Sequence, residues 1–205
     1  MIAIIDYGVG NLFSLKSSFA AIGADTVVTG DPSIIRSAEK LVLPGVGAFG
    51  DAAALLRRNE LDKLIREEAS TGKSLLGICL GMQLLFDYSL EYGQHEGLGL
   101  IPGSVRPIGD YIPQGYKIPH IGWNALRFPD GKPVSPLFRH IREGDCVYFV
   151  HSFCGAECQE SVIASAEYGA GLTAAVAHEN VYGVQFHPEK SGDVGLNILR
   201  AFCAL

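Results

Sequence analysis

Leu75-Leu-Gly-Ile-Cys79-Leu-Gly-Met-Gln83-Leu-Leu-Phe86 is nearly apolar from end to end, yet two glycines interrupt it, one on either side of a cysteine. The run is too short to cross a bilayer, which takes roughly 20 apolar residues. Leu75 to Ile78 reads as a buried strand, and Leu80 to Tyr88 as the helix that follows it. Gly77-Ile-Cys79-Leu-Gly81 then falls at a strand-to-helix turn, the form of a nucleophile elbow with Cys in place of Ser. Toward the N-terminus the same alternation repeats. Ile2 to Ile5, Val27-Val28 and Leu41 to Leu43 read as short strands. Between them Leu12, Leu15, Phe19 and Ile22 recur at helical spacing before Gly23, and Asp31-Pro32 opens a brief helix. One long helix is expected from Leu55 through Ile65 to about Gly72. Strand and helix in turn predict an α/β fold, with a mainly parallel central sheet flanked by helices.

Beyond residue 90 the texture changes. Glycine and proline crowd residues 93–136, and Val147–Val150, Val162–Ala166, Leu172–Ala177 and Val181–Phe186 follow as closely spaced strands. They predict an antiparallel, β-rich second half, closed by a helix carrying Leu196, Leu199 and Phe202. The 205 residues are expected to form one domain, 1–205. With 48% hydrophobic residues the chain has enough apolar surface for a core, which excludes a disordered or coiled-coil protein. The net charge of -6 and the lack of basic clusters argue against nucleic acid as a partner. The opening Met-Ile-Ala-Ile-Ile has no basic leader, so it reads as a strand and not a signal peptide, and no membrane partner is expected. Five scattered cysteines make no disulfide framework, which points to a reducing, cytoplasmic setting.

Three strings can carry chemistry. A helix end supplies at most about 2 kcal/mol to an anion, so an ionised elbow thiol also calls for a cationic histidine nearby. His187-Pro188-Glu189 offers one. In an extended segment residues two apart project to one side, so Glu189 can hold the His187 ring and stabilise its cation. Alone the string also fits a surface turn; with an elbow cysteine upstream it reads as the triad Cys79, His187, Glu189. The third string, Pro44 to Gly50, contains G-x-G-x-x-G, but the span that follows is helical and the next strand ends in Cys79, so the dinucleotide reading fails. A glycine loop beside a nucleophile reads instead as an oxyanion hole shared with the Leu80 amide. No metal spacing is present: Cys154, Cys158 and His151 lack a fourth ligand. Arg57-Arg58 and Glu67-Glu68 read as solvated charge.

These strings resemble the class I glutamine amidotransferases along the whole chain: Gly-Ile-Cys-Leu-Gly-Met-Gln around Cys79, Pro-Gly-Val-Gly from Pro44, and Gly-Val-Gln-Phe-His-Pro-Glu around His187. Asp6 to Asn11, Pro44 to Asp51, Glu96 to Gly103, Pro119 to Asn124, Tyr148 to Ser152 and His187 to Gly192 are similar to one branch, the glutaminase subunits of imidazole glycerol phosphate synthase. The resemblance implies that Cys79 attacks glutamine to give a thioester, with His187 and Glu189 assisting. It implies that Val46 and Gly47 supply an oxyanion amide, and that Gln83, Glu91, His151, Ser152 and Phe153 hold glutamine. Lys190 and the stretch around His120 and Trp123 match the face that docks a separate (β/α)8-barrel cyclase, which receives the ammonia in histidine biosynthesis. No cofactor or metal is implied. Phe153-Cys154 departs from the usual aromatic pair or Tyr after His-Ser. Trp123, the only tryptophan, fits a core position as well as an interface. The triad alone also fits an amidotransferase of another pathway or a free-standing hydrolase, and the fold alone fits a binding module.

Overall fold

The computed structural model describes residues 1–205. Its first half runs β1 (Ile2–Ile5), α1 (Leu12–Ala21), β2 (Thr26–Thr29), α2 (Pro32–Ser37), β3 (Lys40–Leu43), α3 (Phe49–Arg58), α4 (Leu61–Ser70), β4 (Ser74–Ile78) and α5 (Leu80–Leu84). Then come β5 (Phe86–Ser89), β6 (His95–Glu96), β7 (Ile101–Pro107), β8 (His120–Arg127), β9 (Cys146–His151) and β10 (Phe153–Ala156). The chain closes with β11 (Val162–Glu167), β12 (Gly171–His178), β13 (Val181–Val184) and α6 (Gly192–Cys203).

A nine-stranded sheet has the order β2-β1-β3-β4-β13-β12-β11-β8-β9, parallel from β2 to β13 and antiparallel beyond. Of the parallel strands, β1, β3 and β4 are buried on both faces, which is why they read as continuous apolar runs. Alternate residues go to opposite sides: Ala3, Ile5, Leu41, Leu43 and Leu75 pack beneath α2, α3 and α4, whereas Ile2, Ile4, Val42, Leu76 and Ile78 pack beneath α1 and α6. A smaller sheet, β10-β7-β5-β6, lies beside it. No helix is long and apolar enough to cross a membrane.

The α/β class and the antiparallel second half are as expected; four details differ. First, the helix expected through residue 65 is two helices. The apolar stripe Ala52, Ala53, Leu56 resumes at Leu61, Leu64, Ile65, one residue out of helical phase, and Glu60 at φ 55 resets the direction. Second, the helix expected to reach Tyr88 stops at Leu84, because the carbonyls of Leu84, Leu85 and Phe86 accept from the Leu98, Leu100 and Gly99 amides. Third, β13 is antiparallel to β12 but parallel to β4, and it ends two residues short, so Gln185 and Phe186 lie past its end. Fourth, the Gly/Pro-crowded region holds β7 and β8, where those residues mask the strand pattern.

Candidate active site

Three connections meet at the carboxyl ends of adjacent strands, the usual ligand position in a doubly wound sheet: the loop after β3, the turn after β4, and the segment after β13. Cys79 occupies the turn at φ 54, ψ −112, a conformation costly for a side-chain-bearing residue and typical of functional turns. Its amide donates to the Val184 carbonyl at 2.8 Å, so the turn stays attached to the neighbouring strand. The flanking glycines are needed for close approach. A Cβ on Gly81 would lie 1.8 Å from the Leu43 carbonyl oxygen, and one on Gly77 would lie 2.6 Å from the Gly81 carbonyl oxygen. The end of β3 thus rests directly on the turn. The Tyr7 hydroxyl donates to the Pro44 carbonyl at 2.9 Å and braces the start of the glycine loop. Burial, and then the nearby Cys79 charge, push the Tyr7 phenol well above its ordinary range, so it stays protonated.

His187 and Glu189 lie side by side as the spacing predicted. His187 Nδ1 is 2.8 Å from Glu189 Oε1, and both side chains are almost fully buried. The carboxylate fixes the proton on Nδ1 and leaves Nε2 to face Cys79. Burial works against a charge on His187, but its hydrogen bonds and charge interactions with Cys79 and Glu189 outweigh it and raise the imidazolium to about 9. The backbone here is tied to β9: the His187 amide donates to the Tyr148 carbonyl, and the Ser191 hydroxyl donates to the His187 carbonyl while accepting from the Tyr148 amide. Glu189 Oε2 is buried without a hydrogen-bond partner, so the carboxylate's only directed contact is with the imidazole.

A cavity of about 400 Å³ opens above this group. Cys79 and His187 line it together with Val46, Gly47 and Leu80 of the two glycine turns. Gln83, Glu91, His151, Ser152 and Phe153 complete its wall, with Lys190 at its edge. Every residue expected to bind glutamine therefore faces one space with Cys79. Gln83 Nε2 donates to the Phe153 carbonyl at 3.1 Å and to Gln185 Oε1 at 3.0 Å. Glu91, 9% exposed, accepts from the Phe49 amide at 2.6 Å and so occupies the N-terminus of α3. The G-x-G-x-x-G string leads into that same helix end, where a carboxylate takes the free amide.

One expected docking residue is misplaced. His120 was expected on the partner face, but it is 1% exposed and cannot touch a partner through its side chain. β8 alternates, sending His120 inward and Ile121 and Trp123 outward. The ring is stacked between Phe149 and Tyr168, and its Nδ1 is 3.0 Å from His151 Nε2. Because the Phe153 carbonyl can only accept, His151 carries its proton on Nδ1 and accepts on Nε2. His120 Nε2 then meets Asn124 Oδ1 at 2.8 Å, while the Asn124 amide donates to the Glu167 carbonyl. Three ring contacts call for three protons, and two neutral imidazoles have two. Burial decides against the third: it lowers His120 and holds His151 down to about 4. Trp123, left open between core and interface, is 55% exposed, edge-on to Tyr148, whose ring lies under the Lys190 ammonium.

All five cysteines are free. Burial pushes Cys154 up to about 12 and also raises Cys158 and Cys203, the opposite of what a nucleophile needs. Glu68, expected to be solvated, is mostly buried in an ion pair with Lys73. Two residues at the site, Tyr7 and Gln185, have no role that motif or spacing assigns. Tyr7 lies in the Asp6 to Asn11 string, and its contact with Pro44, 37 residues away, leaves no mark in spacing. Gln185 offered a signal, since a lone amide between Val184 and Phe186 in a buried run needs a polar partner.

The glutamine amidotransferase class-I family matches residues 3–204. The chain is 48% identical to the imidazole glycerol phosphate synthase subunit HisH of Sulfurimonas denitrificans, over 98% of this chain and 97% of that one. It is 46% identical to the protein of the same name from Oceanobacillus iheyensis, over 98% of each. In fold it is similar to a crystal structure of a glutamine amidotransferase (TM-score 0.75, 18% identity, 99% of this chain and 100% of that one). It is similar also to PurLQS from Thermotoga maritima (TM-score 0.74, 20% identity, 99% and 97%).

Proposed function

The chain belongs to the glutamine amidotransferase class-I family, and on that premise we propose that Cys79, His187 and Glu189 hydrolyse glutamine through a thioester on the Cys79 sulfur. The reaction yields glutamate and ammonia, and it serves the imidazole glycerol phosphate synthase step of histidine biosynthesis as the glutaminase subunit. The observation that carries the assignment of residues is the single cavity shared by the cysteine, the histidine, both glycine turns and the expected glutamine-binding wall.

The Cys79 thiolate attacks the side-chain amide carbon of glutamine. Negative charge moves to the carbonyl oxygen, where the Leu80 amide and an amide of the Val46-Gly47 loop would receive it. The His187 imidazolium gives its Nε2 proton to the departing nitrogen, the C–N bond breaks and ammonia leaves. Water then adds to the thioester and gives a proton to Nε2; the C–S bond breaks, which restores thiolate and imidazolium and releases glutamate. Glu189 supports the cation in both half-reactions. Glu91 and Gln83 hold the substrate, with the Glu91 carboxylate suited to its α-ammonium group.

The chain functions as a subunit with a partner subunit, in keeping with its relatives. We assign that partner as a separate (β/α)8-barrel cyclase docking over Lys190, Tyr148 and Trp123, whose exposed aromatic and cationic surface adjoins the cavity. Ammonia freed into water at neutral pH is protonated and lost as a nucleophile, so a covered route to the acceptor has a chemical purpose. Residues 1–205 act as one amidotransferase domain in the cytoplasm, where free thiols persist.

The test is glutamate release from glutamine by the purified chain, alone and with the cyclase subunit plus its nucleotide ligand. Little release alone and a large rise in the complex is the expected result. Full activity alone, unchanged by the cyclase, would leave the triad standing and remove the assigned partner.

A further inference from the structure

We propose that Gln185 is a positioning residue for the nucleophile: the side-chain Nε2 proton of its buried amide holds the Cys79 sulfur in place and steadies its negative charge. The proposal rests on Cys79 being the nucleophile. Gln185 is wholly buried, and its Nε2 lies 3.8 Å from Cys79 Sγ. The direction of that amide is fixed by its neighbours. Gln83 Nε2 has two protons, and its two partners are the Phe153 carbonyl and Gln185 Oε1. Gln185 must therefore present its oxygen to Gln83 and its nitrogen to the sulfur. Turning the amide would set two donors against each other and an oxygen against a thiolate.

Backbone bonds fix both partners to adjacent strands, Gln185 to β12 and Cys79 to β13. The Gln185 amide donates to the Ala174 carbonyl at 2.8 Å, and the Cys79 amide donates to Val184, the residue before Gln185, at the same distance. A fully buried amide is a poor choice for filling space, since an apolar side chain of equal length would need no partners. His187 approaches the same sulfur as the cation, and Gln185 adds a neutral donor. The sulfur is thus held from two sides before it attacks and again once the C–S bond has broken.

The experiment measures the rate at which iodoacetamide alkylates Cys79 as a function of pH, with the modified residue located by peptide mass spectrometry. Exposed Cys146 serves as the internal reference. Gln185→Glu keeps an oxygen for Gln83 and sets a second oxygen against the sulfur; Gln185→Met keeps the length and removes both polar groups. At neutral pH, alkylation is expected to fall about tenfold in both variants, the size expected for losing a hydrogen bond to a charged group. Gln185→Met should regain the wild-type rate at alkaline pH. In complex with the partner, kcat for glutamine should fall while KM stays within about twofold. A folded variant of either kind with the wild-type curve and kcat would overturn the proposal. A further measurement needs no variant: the Gln185 side-chain amide resonances should move when Cys79 is alkylated, and unmoved resonances would also overturn it. Cys79→Ala separates the two readings. If it retains glutaminase activity, the nucleophile assignment fails and takes this proposal with it. If it is inactive while the Gln185 variants behave as wild type, only the present proposal fails.

Discussion

His187 holds a charge in a place that disfavours charge, and its two partners differ in how they are replaced. In the proposed reaction Cys79 forms the covalent bond and His187 moves protons, whereas Glu189 only orients the ring across a 2.8 Å contact and supports its cation. Cys79→Ala and His187→Ala should each lower kcat on the order of 10⁶-fold, and Glu189→Ala on the order of 10⁴-fold, as for other triads. Glutamate release by the three folded variants in the complex checks this, and equal losses would overturn the division of roles. The placing of Cys79 at a turn and of His187 beside Glu189 was legible because each is local: a turn between strand and helix, and two side chains separated by one proline. Gln185 and His120 were not, because their roles depend on residues far away in sequence. Gln185 meets Cys79 and Gln83 across strands, and His120 meets His151 across an antiparallel pair. A motif shows that a residue is present; which face of β8 carries it depended on a register that the glycine-rich flank concealed.

The contact between the end of β3 and the turn before α5 is the tightest constraint on the site. Gly81→Ala would drive a methyl group into the Leu43 carbonyl, which is backbone and cannot swing aside. It should destabilise the chain by more than roughly 3 kcal/mol and abolish activity, since the loop from Pro44 to Gly47 rests on the same contact. Gly171→Ala, with open space around it and no left-handed backbone, should change stability by no more than about 0.5 kcal/mol. Urea unfolding of both variants tests the pair, and a mild Gly81→Ala would mean that the turn and β3 can separate. Elements were readable where burial on two faces left apolar runs, as in β1, β3 and β4. They were misread where tertiary pairing overrode local pattern. Leu84 to Phe86 have helical spacing, but amides from Leu98 to Leu100 capture their carbonyls and draw the chain into the small sheet. The α3–α4 break was readable in principle, from a one-residue slip in the apolar stripe.

Where the antiparallel extension meets the catalytic cavity, the protein buries two imidazoles, and this makes its total stability depend on pH. His151 lines the cavity, and burial holds it from an ordinary 6.5 down to about 4, so the folded chain keeps it neutral at pH values where the unfolded chain charges it. The sign follows from proton counting. Above about 6.5 neither state binds the proton, and the full stability is present. As the pH falls toward 4 the unfolded chain takes up a proton that the folded chain refuses, and stability drops by roughly 3 kcal/mol for this residue, reaching the full loss only below 4. His120 is lowered for the same reason and adds in the same direction. Exposed carboxylates such as Glu157 and Asp31 also lose stabilising contacts in acid, so the wild-type curve alone cannot isolate the imidazoles. His151→Asn does so, because its amide can still donate to the Phe153 carbonyl but does not titrate. The variant should be less stable at neutral pH, since the packed contact between the two rings is lost, yet its urea midpoint should fall less steeply than the wild type's between about pH 6.5 and 4. Parallel slopes would mean that the acid sensitivity lies elsewhere. A shallower slope would mean that this wall of the cavity is held together by keeping these two rings uncharged.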